Sequence, residues 1–298
     1  MSTRTARRRR EAALGYLMIS PALVLFGIFV FYPFVKNFQT ALYLNPPFPG
    51  LPKRYVGFQQ FSDILGSDDF TNSLKVTLEF ALLTVPAGIG LGLLLAVAGH
   101  RKLRGVGIYR TIFSSTVATS VAVAAVIFSM LFNPIVGLLP WLGIDPKPPV
   151  IENPDLALLA VAVVTIWQTL GLTFILLSAG LQGIPEELNE AAQVDGAGPT
   201  TRFWRITIPM LSPTLFFAFI VGTIPAFQSF GQIDILTGGG PFKRTNVLTY
   251  SIVSALSSKD QAADSGRAAV LAIALFVITL GFTTVQMRTL ERRVHYAR

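Results

Sequence analysis

Six polar or amphipathic side chains interrupt long apolar stretches of this sequence. They are Trp167, Gln168, Thr169, Thr173, Gln228 and Ser229. A polar group within an apolar stretch of membrane-spanning length is costly to leave facing lipid, so these positions are candidates for a solute path. An indole face beside amide and hydroxyl groups suits a polyol, because it offers an apolar surface together with directed hydrogen bonds. The alternative is that each group only hydrogen-bonds to a neighbouring helix.

A second group of candidate residues lies in the polar segment 180–210. Pro185, Glu186 and Glu187 are typical of a helix start, because proline fits the first helical position and carboxylates interact favourably with the positive end of the helix dipole. Gly196 is typical of a helix end. The segment therefore predicts a short helix between two apolar stretches.

Helical spacing gives this short helix one face of mostly small side chains and another that carries carboxylates. The small face contains Leu188, Ala191, Ala192 and Asp195. Small side chains permit a close approach, and carboxylates offer ion pairs to a partner. We expect a second short helix at 202–208, capped by Thr200 or Thr201. The segment is either a docking element for a partner or a solvated connector.

The sequence excludes several kinds of chemistry. It contains no cysteine, and its two histidines, His100 and His295, are isolated, so we predict no disulfide and no metal site. It has no G-x-x-x-x-G-K-S/T phosphate loop, so we do not expect it to hydrolyse ATP by that route. No convergent group of nucleophilic and titratable residues suggests an enzyme.

The composition indicates an integral membrane protein. Hydrophobic residues make up 52% of the 298 residues and charged residues 13%, whereas a soluble domain has about 25% charged residues. Six stretches are apolar and long enough to cross the bilayer as helices. They cover residues 12–34, 74–98, 111–132, 156–179, 211–230 and 268–285. We therefore predict an all-α fold with one six-helix transmembrane domain, 12–285.

Two local features of the second apolar stretch, residues 74–98, give further predictions. Gly88 and Gly92 are four residues apart, a spacing that lets another helix pack closely. Lys75 and Glu79 lie one helical turn apart, so we expect an ion pair between them at the outer end of the helix.

The basic residues set the predicted orientation. Of the 24 Lys and Arg residues, 15 lie in the 67 residues of segments 1–11, 99–110, 180–210 and 286–298, and eight lie in the 100 residues of the other loops. Because positive residues are enriched on the cytoplasmic side, both the N-terminus (1–11) and the C-terminal tail (286–298) are predicted to be cytoplasmic. This distribution fits contact with lipid headgroups and does not suggest nucleic-acid binding.

The first apolar stretch, residues 12–34, is alternatively a signal peptide, but its length favours a retained helix.

The segment 180–210 resembles a loop of a known family. Glu190-Ala191-Ala192, three residues, Gly196, nine residues and then Ile206-Thr207-Ile208-Pro209 resemble the EAA loop of permease subunits in ABC importers. The one departure is Ile208, where the family usually has leucine. The similarity to carbohydrate-type permeases extends over nearly the whole chain. The tail from Val285 to Val294 most resembles permeases of glycerol-3-phosphate or glycerophosphodiester importers.

This resemblance implies a role for the loop and a set of partners. In the family, the EAA loop is the coupling helix that sits in a cleft of a separate ATP-hydrolysing subunit. The implied docking residues are Glu190, Ala191, Ala192, Asp195, Gly196 and Ala197. The implied partners are a second permease subunit, two ATPase subunits that bind ATP and magnesium, and an extracytoplasmic solute-binding protein. The resemblance also implies a bacterial inner membrane location, transport by alternating access, and no cofactor on this chain.

The sequence is compatible with two classes of transported solute. The resemblance implies glycerol-3-phosphate or glycerophosphodiesters, but no Lys or Arg lies in the central part of any span, so a neutral sugar or oligosaccharide would fit equally well. An ion-coupled secondary transporter is less well supported, because Glu79 is the only carboxylate in any span and sits peripherally. The outer loop 230–267 is either a contact for the solute-binding protein or an ordinary turn.

Overall fold

The structure is a computed structural model, and the described part of the chain is almost entirely helical. It describes residues 2–44, 52–100, 104–144, 146–257 and 264–290. The described residues contain one two-stranded antiparallel sheet, β1 (Tyr43–Leu44) with β2 (Arg54–Tyr55). The contacts divide the chain into two units, residues 1–65 with 255–273 and residues 66–254 with 274–298.

Fourteen α-helices are described. They are α1 (Ser2–Phe26), α2 (Tyr32–Thr40), α3 (Gln59–Leu65), α4 (Asp68–Gly99), α5 (Val106–Ser114), α6 (Val121–Leu131), α7 (Leu138–Trp141), α8 (Ala157–Gln182), α9 (Glu186–Val194), α10 (Pro199–Arg202), α11 (Ile208–Phe227), α12 (Gly231–Leu236), α13 (Leu248–Ser257) and α14 (Ser265–Leu290). A π-helical turn, Gly27–Phe31, joins α1 to α2, and a second, Phe203–Thr207, joins α10 to α11. A 3-10 turn, Ser115–Ala118, follows α5.

The first unit has a small apolar core where α2 meets the beginning of α14. Ala41 and Val270 are fully buried there. The Asn37 side-chain amide donates to the Ala269 carbonyl at 3.4 Å. The rings of Tyr43 and Tyr55 pack edge to face across the two strands, with centroids 5.4 Å apart.

The second unit is built on the packing of α4, α8 and α11. Phe174, Leu177 and Leu211 are buried in one apolar cluster between these helices. At Gly92, a Cβ atom would lie 2.6 Å from Cγ2 of Thr173, so α4 approaches α8 closely only because this position has no side chain. The close packing predicted for Gly88 is not found among the described residues, since no atom of another helix lies within 4 Å of a Cβ built there.

Most of the predicted spans are found as continuous apolar helices. The first runs from Glu11 to Thr40, and four others are long and apolar enough to cross a membrane: Asp68–Gly99, Ala157–Gln182, Pro199–Phe227 and Ser265–Thr289. The last helix continues beyond the predicted end at residue 285, so Gln286 is helical and buried. Lys75 and Glu79 form the expected ion pair, with 3.8 Å between Nζ and Oε1.

The third span, predicted as one helix over 111–132, is instead broken. Its two apolar parts, Val106–Ala118 and Val121–Leu131, meet at an angle of 106°. Thr119 and Ser120 between them are extended. The Ser120 hydroxyl accepts the Val123 N–H at 3.3 Å, which stabilises a new helix start. An apolar pattern does not reveal such a break, because the two parts together are long and apolar enough to look like one span.

The predicted cap of the second short helix in the segment 180–210 is also wrong. The helix begins at Pro199, and no side chain caps it. Proline takes the first helical position because its fixed φ suits a helix and its missing N–H needs no acceptor. The helix then continues without interruption to Phe227.

Gly171 allows the broken third span to pack closely against α8. A Cβ atom at Gly171 would collide with Oγ1 of Thr116 and lie 2.8 Å from the backbone nitrogen of Val117. The break in the third span can therefore approach α8 only where α8 has no side chain.

We predict that Gly171→Ala destabilises the protein, because the added methyl group meets backbone atoms that cannot move aside. Overpacking of this kind costs about 1–3 kcal/mol. The measurement is the melting temperature of the purified protein. Gly90→Ala is the matched control, since nothing lies within 4 Å of a Cβ there. Equal melting temperatures for the two variants would contradict this account of the packing.

Candidate functional site

A cavity of about 370 Å³ lies within the second unit. Its walls come from α4, α8 and α11, from the chain between α11 and α12, from the beginning of α12, and from Val121 at the beginning of α6. The polar residues of its lining are Thr84, Thr165, Gln168, Thr169, Thr173, Gln228, Ser229 and Gln232. No charged residue is among the described lining. The cavity is within the range of about 300–1,000 Å³ that is usual for small-molecule sites.

The threonines of the cavity have a common hydrogen-bonding pattern. Thr84 donates to the Phe80 carbonyl at 2.8 Å, and Thr169 donates to the Thr165 carbonyl at 2.8 Å. Thr165 and Thr173 likewise donate to carbonyls one turn earlier in α8. Each hydroxyl proton is used within its own helix, so the oxygen remains available as an acceptor. This wall of the cavity can accept hydrogen bonds from the hydroxyl groups of a solute.

Gln168 connects the cavity to the break in the third span. Its Nε2 donates to the Thr119 carbonyl at 3.4 Å, a backbone group that lies outside helical structure. Because the same side chain lines the cavity, Gln168 joins the cavity wall to the non-helical part of this span.

The other polar part of the lining follows the end of α11. Ser229 and Gln232 are buried, at 6% and 5% exposure, and Gln228 is exposed. The Ser229 hydroxyl donates to Oε1 of Gln232 at 3.3 Å. Gln232 is not among the path residues predicted from the sequence, although an amide three residues after Ser229 in an apolar context is a usable signal.

The structure brings five of the six predicted path residues to the cavity and leaves one elsewhere. Gln168, Thr169, Thr173, Gln228 and Ser229 line it. Trp167 does not. Its ring packs edge to face on Phe128, with centroids 5.4 Å apart, against the apolar cluster of buried residues that includes Phe80 and Val164.

The predicted docking helix is present as α9 and is largely exposed. Glu190, Ala191, Asp195 and Gly196 are exposed, and Ala192 and Ala197 are half-buried. Gly196 has a φ of +79°, which favours glycine at a helix end. The Ala197 N–H donates to the Ala192 carbonyl at 2.9 Å and closes this end. The helix therefore presents its carboxylates and small side chains outward.

A crevice of about 750 Å³ lies beside α9. It is lined by the end of α8, the beginning of α9, and the side chains of His100 and Arg110. The Arg110 guanidinium donates twice to the Gly99 carbonyl, at 3.1 and 2.9 Å, which joins α5 to the end of α4. Within the described ranges, no group of three or more His, Cys, Asp or Glu residues could hold a metal ion.

Comparison with known proteins identifies the family. Residues 88–296 match the family described as the binding-protein-dependent transport system inner membrane component. The chain belongs to this family. It is a permease subunit of a binding-protein-dependent ABC importer and a multi-pass protein of the inner membrane.

Individual relatives agree with this assignment. The permease is 38% identical, over 95% of its length and 96% of the relative, to the sn-glycerol-3-phosphate transport system permease protein UgpA of Agrobacterium fabrum. It is 37% identical over the same shares to UgpA of Rhizobium meliloti. A chain of a bacterial ABC transporter involved in the import of the acidic polysaccharide alginate superposes with a TM-score of 0.81 at 23% identity, covering 97% of the permease and 99% of that chain. The last similarity concerns the fold alone.

We predict that Trp167 acts in packing and not in solute binding. Trp167→Phe should keep the contact with Phe128 and leave the solute concentration for half-maximal uptake unchanged. Trp167→Ala should lower the melting temperature of the purified importer, by less than the loss of about 3–5 kcal/mol for a fully buried tryptophan, because Trp167 is half-buried. A Trp167→Phe variant with normal stability but weakened solute affinity would place Trp167 in the path.

Proposed function

We propose that this permease forms half of the translocation pathway for glycerol-3-phosphate or glycerophosphodiesters. Two relatives named as sn-glycerol-3-phosphate permeases, each aligned over 95% of the chain, support this solute class. The observation that carries the proposal is the cavity of about 370 Å³, which is lined by hydroxyl and amide groups. Such a lining matches the hydroxyl groups of a glycerol moiety.

Because the described lining contains no charged residue, a neutral sugar is the second candidate solute class. A neutral sugar would need only hydrogen bonds and apolar contacts, and the lining offers both. The two classes differ in one property, since only a phosphorylated solute brings a negative charge into the cavity.

We assign the segment 186–197 as the element that couples the permease to a separate ATPase. Its docking surface comprises Glu190, Ala191, Ala192, Asp195, Gly196 and Ala197, most of which are exposed. In this proposal the segment is cytoplasmic, as are both termini. Carboxylates on an exposed helix can form hydrogen-bonded ion pairs with basic groups of a partner. One continuous helical stretch, Pro199–Phe227, leads from this segment to the cavity.

The complete importer contains further subunits in this proposal. They are a second permease, two ATPase subunits that bind ATP and magnesium, and an extracytoplasmic solute-binding protein. Phosphate-loop residues are absent from the sequence, so energy must come from another chain. The first apolar helix, Glu11–Thr40, has none of its most apolar window buried in the described structure. It therefore offers an exposed apolar surface to lipid or to the second permease.

We predict that Glu190→Lys uncouples transport from ATP hydrolysis. Reversing the charge at a docking contact replaces an ion pair with repulsion, and truncating one partner of such a pair already costs about 2–5 kcal/mol. In the reconstituted importer, ATPase activity stimulated by the solute-binding protein should fall more than tenfold, while binding of that protein is retained.

The control for this experiment is Glu152→Lys, which makes the same charge change at an exposed residue outside the loop. It should leave stimulated ATPase activity and uptake unchanged. Normal activity of the Glu190→Lys importer would refute the docking role of Glu190.

The solute class is tested by competition for uptake. In cells that express the complete importer, uptake of labelled glycerol-3-phosphate should be inhibited by unlabelled glycerol-3-phosphate and by glycerophosphocholine, because both carry a glycerol-linked phosphate. Maltose should not inhibit it. If maltose is transported and glycerol-3-phosphate is not, the solute class proposed here is wrong and the neutral-sugar alternative is supported.

A further inference from the structure

The broken third span meets the cavity with the N-terminal end of α6. Val121 is the first residue of this 11-residue helix and the only residue of α6 in the cavity lining. The Ser120 side chain and carbonyl accept the N–H groups of Val123 and Ala124. Among the described residues, the N–H groups of Val121 and Ala122 have no acceptor, as expected for the first turn of a helix. The first turn of α6, where the helix dipole is positive, therefore reaches the cavity at Val121, whose N–H has no acceptor in the described part of the chain.

The side chain of Gln232 provides another unused donor at the same place. It is only 5% exposed and lines the cavity. Its Oε1 accepts the Ser229 hydroxyl, whereas its Nε2 donates to no group in the part of the chain that the structure describes. A Cβ atom at the adjacent Gly231 would lie 2.8 Å from Cγ1 of Val121. The Gln232 segment and the beginning of α6 are therefore direct neighbours.

These donors differ in kind from the threonine wall. The hydroxyl protons of Thr84, Thr165, Thr169 and Thr173 are all used within α4 and α8, so that wall mainly accepts hydrogen bonds. The corner formed by Gln232 and the first turn of α6 mainly donates them. The cavity is therefore divided into an accepting side and a donating side.

The charges near this corner do not oppose an anion. The described cavity lining contains no carboxylate, and Asp234 on α12 is exposed and outside the lining. This described lining contains no Lys or Arg either. A helix N-terminus and an amide bind an anion less tightly than a fixed cation would, which suits a site that must also release its ligand.

We infer that the first turn of α6 and the amide of Gln232 form an anion subsite that binds the phosphate group of the transported solute. The threonine wall then accepts hydrogen bonds from the glycerol hydroxyls. The inference rests on the proposed function and adds the group that recognises the phosphate. It also explains how a phosphorylated solute is recognised in a cavity without a basic residue.

The test uses charge changes of opposite sign at Gln232. The probe is labelled glycerol-3-phosphate, and its equilibrium binding is measured on the complete importer in lipid nanodiscs, without the solute-binding protein. Gln232→Glu keeps the size of the side chain but brings a negative charge to the phosphate, and binding should weaken about tenfold or more. Gln232→Lys supplies a cation and should bind the probe at least as tightly as the wild type. Gln59→Glu, at an exposed residue outside the lining, should bind like the wild type.

Three other results would overturn the inference. If wild-type importer binds the probe and Gln232→Glu binds it equally well, the subsite is wrong while the proposed solute class stands. If Gln232→Glu and Gln232→Lys weaken binding equally in intact complexes, Gln232 acts only in packing. If the wild type binds maltose but not glycerol-3-phosphate, the subsite and the proposed solute class fail together.

Discussion

The need to pair backbone polar groups in a hydrocarbon environment governs this structure. Where a membrane helix breaks, its freed N–H and carbonyl groups need partners from side chains, neighbouring helices or a cavity. At the break in the third span, Gln168 pairs with the Thr119 carbonyl and Ser120 pairs with the Val123 N–H. Gly171 allows α8 to come close enough for this arrangement. The cavity includes the first residue of α6, Val121, in its lining.

One helical stretch joins the proposed coupling segment to the cavity. The helical stretch Pro199–Phe227 begins directly after the segment 186–197 and ends next to Gln228 and Ser229 in the cavity lining. A Cβ atom at Gly180 would lie 2.7 Å from Cδ1 of Leu211, so α8 packs tightly against the same stretch. A displacement of the coupling segment would therefore move the cavity wall. This gives the proposed coupling to ATP hydrolysis a physical route through packed helices.

The candidate site could be predicted from sequence only where polarity alone was informative. Gln168, Thr169 and Thr173 lie in the cavity, and an apolar context was sufficient to select them. Trp167 was selected by the same argument but packs on Phe128, because an indole is as useful in a helix interface as in a solute path. Gln232 was missed although its amide in an apolar context was a usable signal. Its position at the cavity depends on α12 packing beside Val121, which no local pattern encodes.

The sequence by itself determined the mainly helical class, the number of apolar stretches and the short helix α9, because hydrophobicity, proline and glycine act locally. The spacing around Glu190-Ala191-Ala192 also determined the family. Only the tertiary structure decided that the third span is broken, that Gly92 but not Gly88 packs against a neighbour, and which polar groups share a cavity. These features depend on contacts between residues distant in sequence, and the hydrophobic pattern is the same whether or not those contacts form.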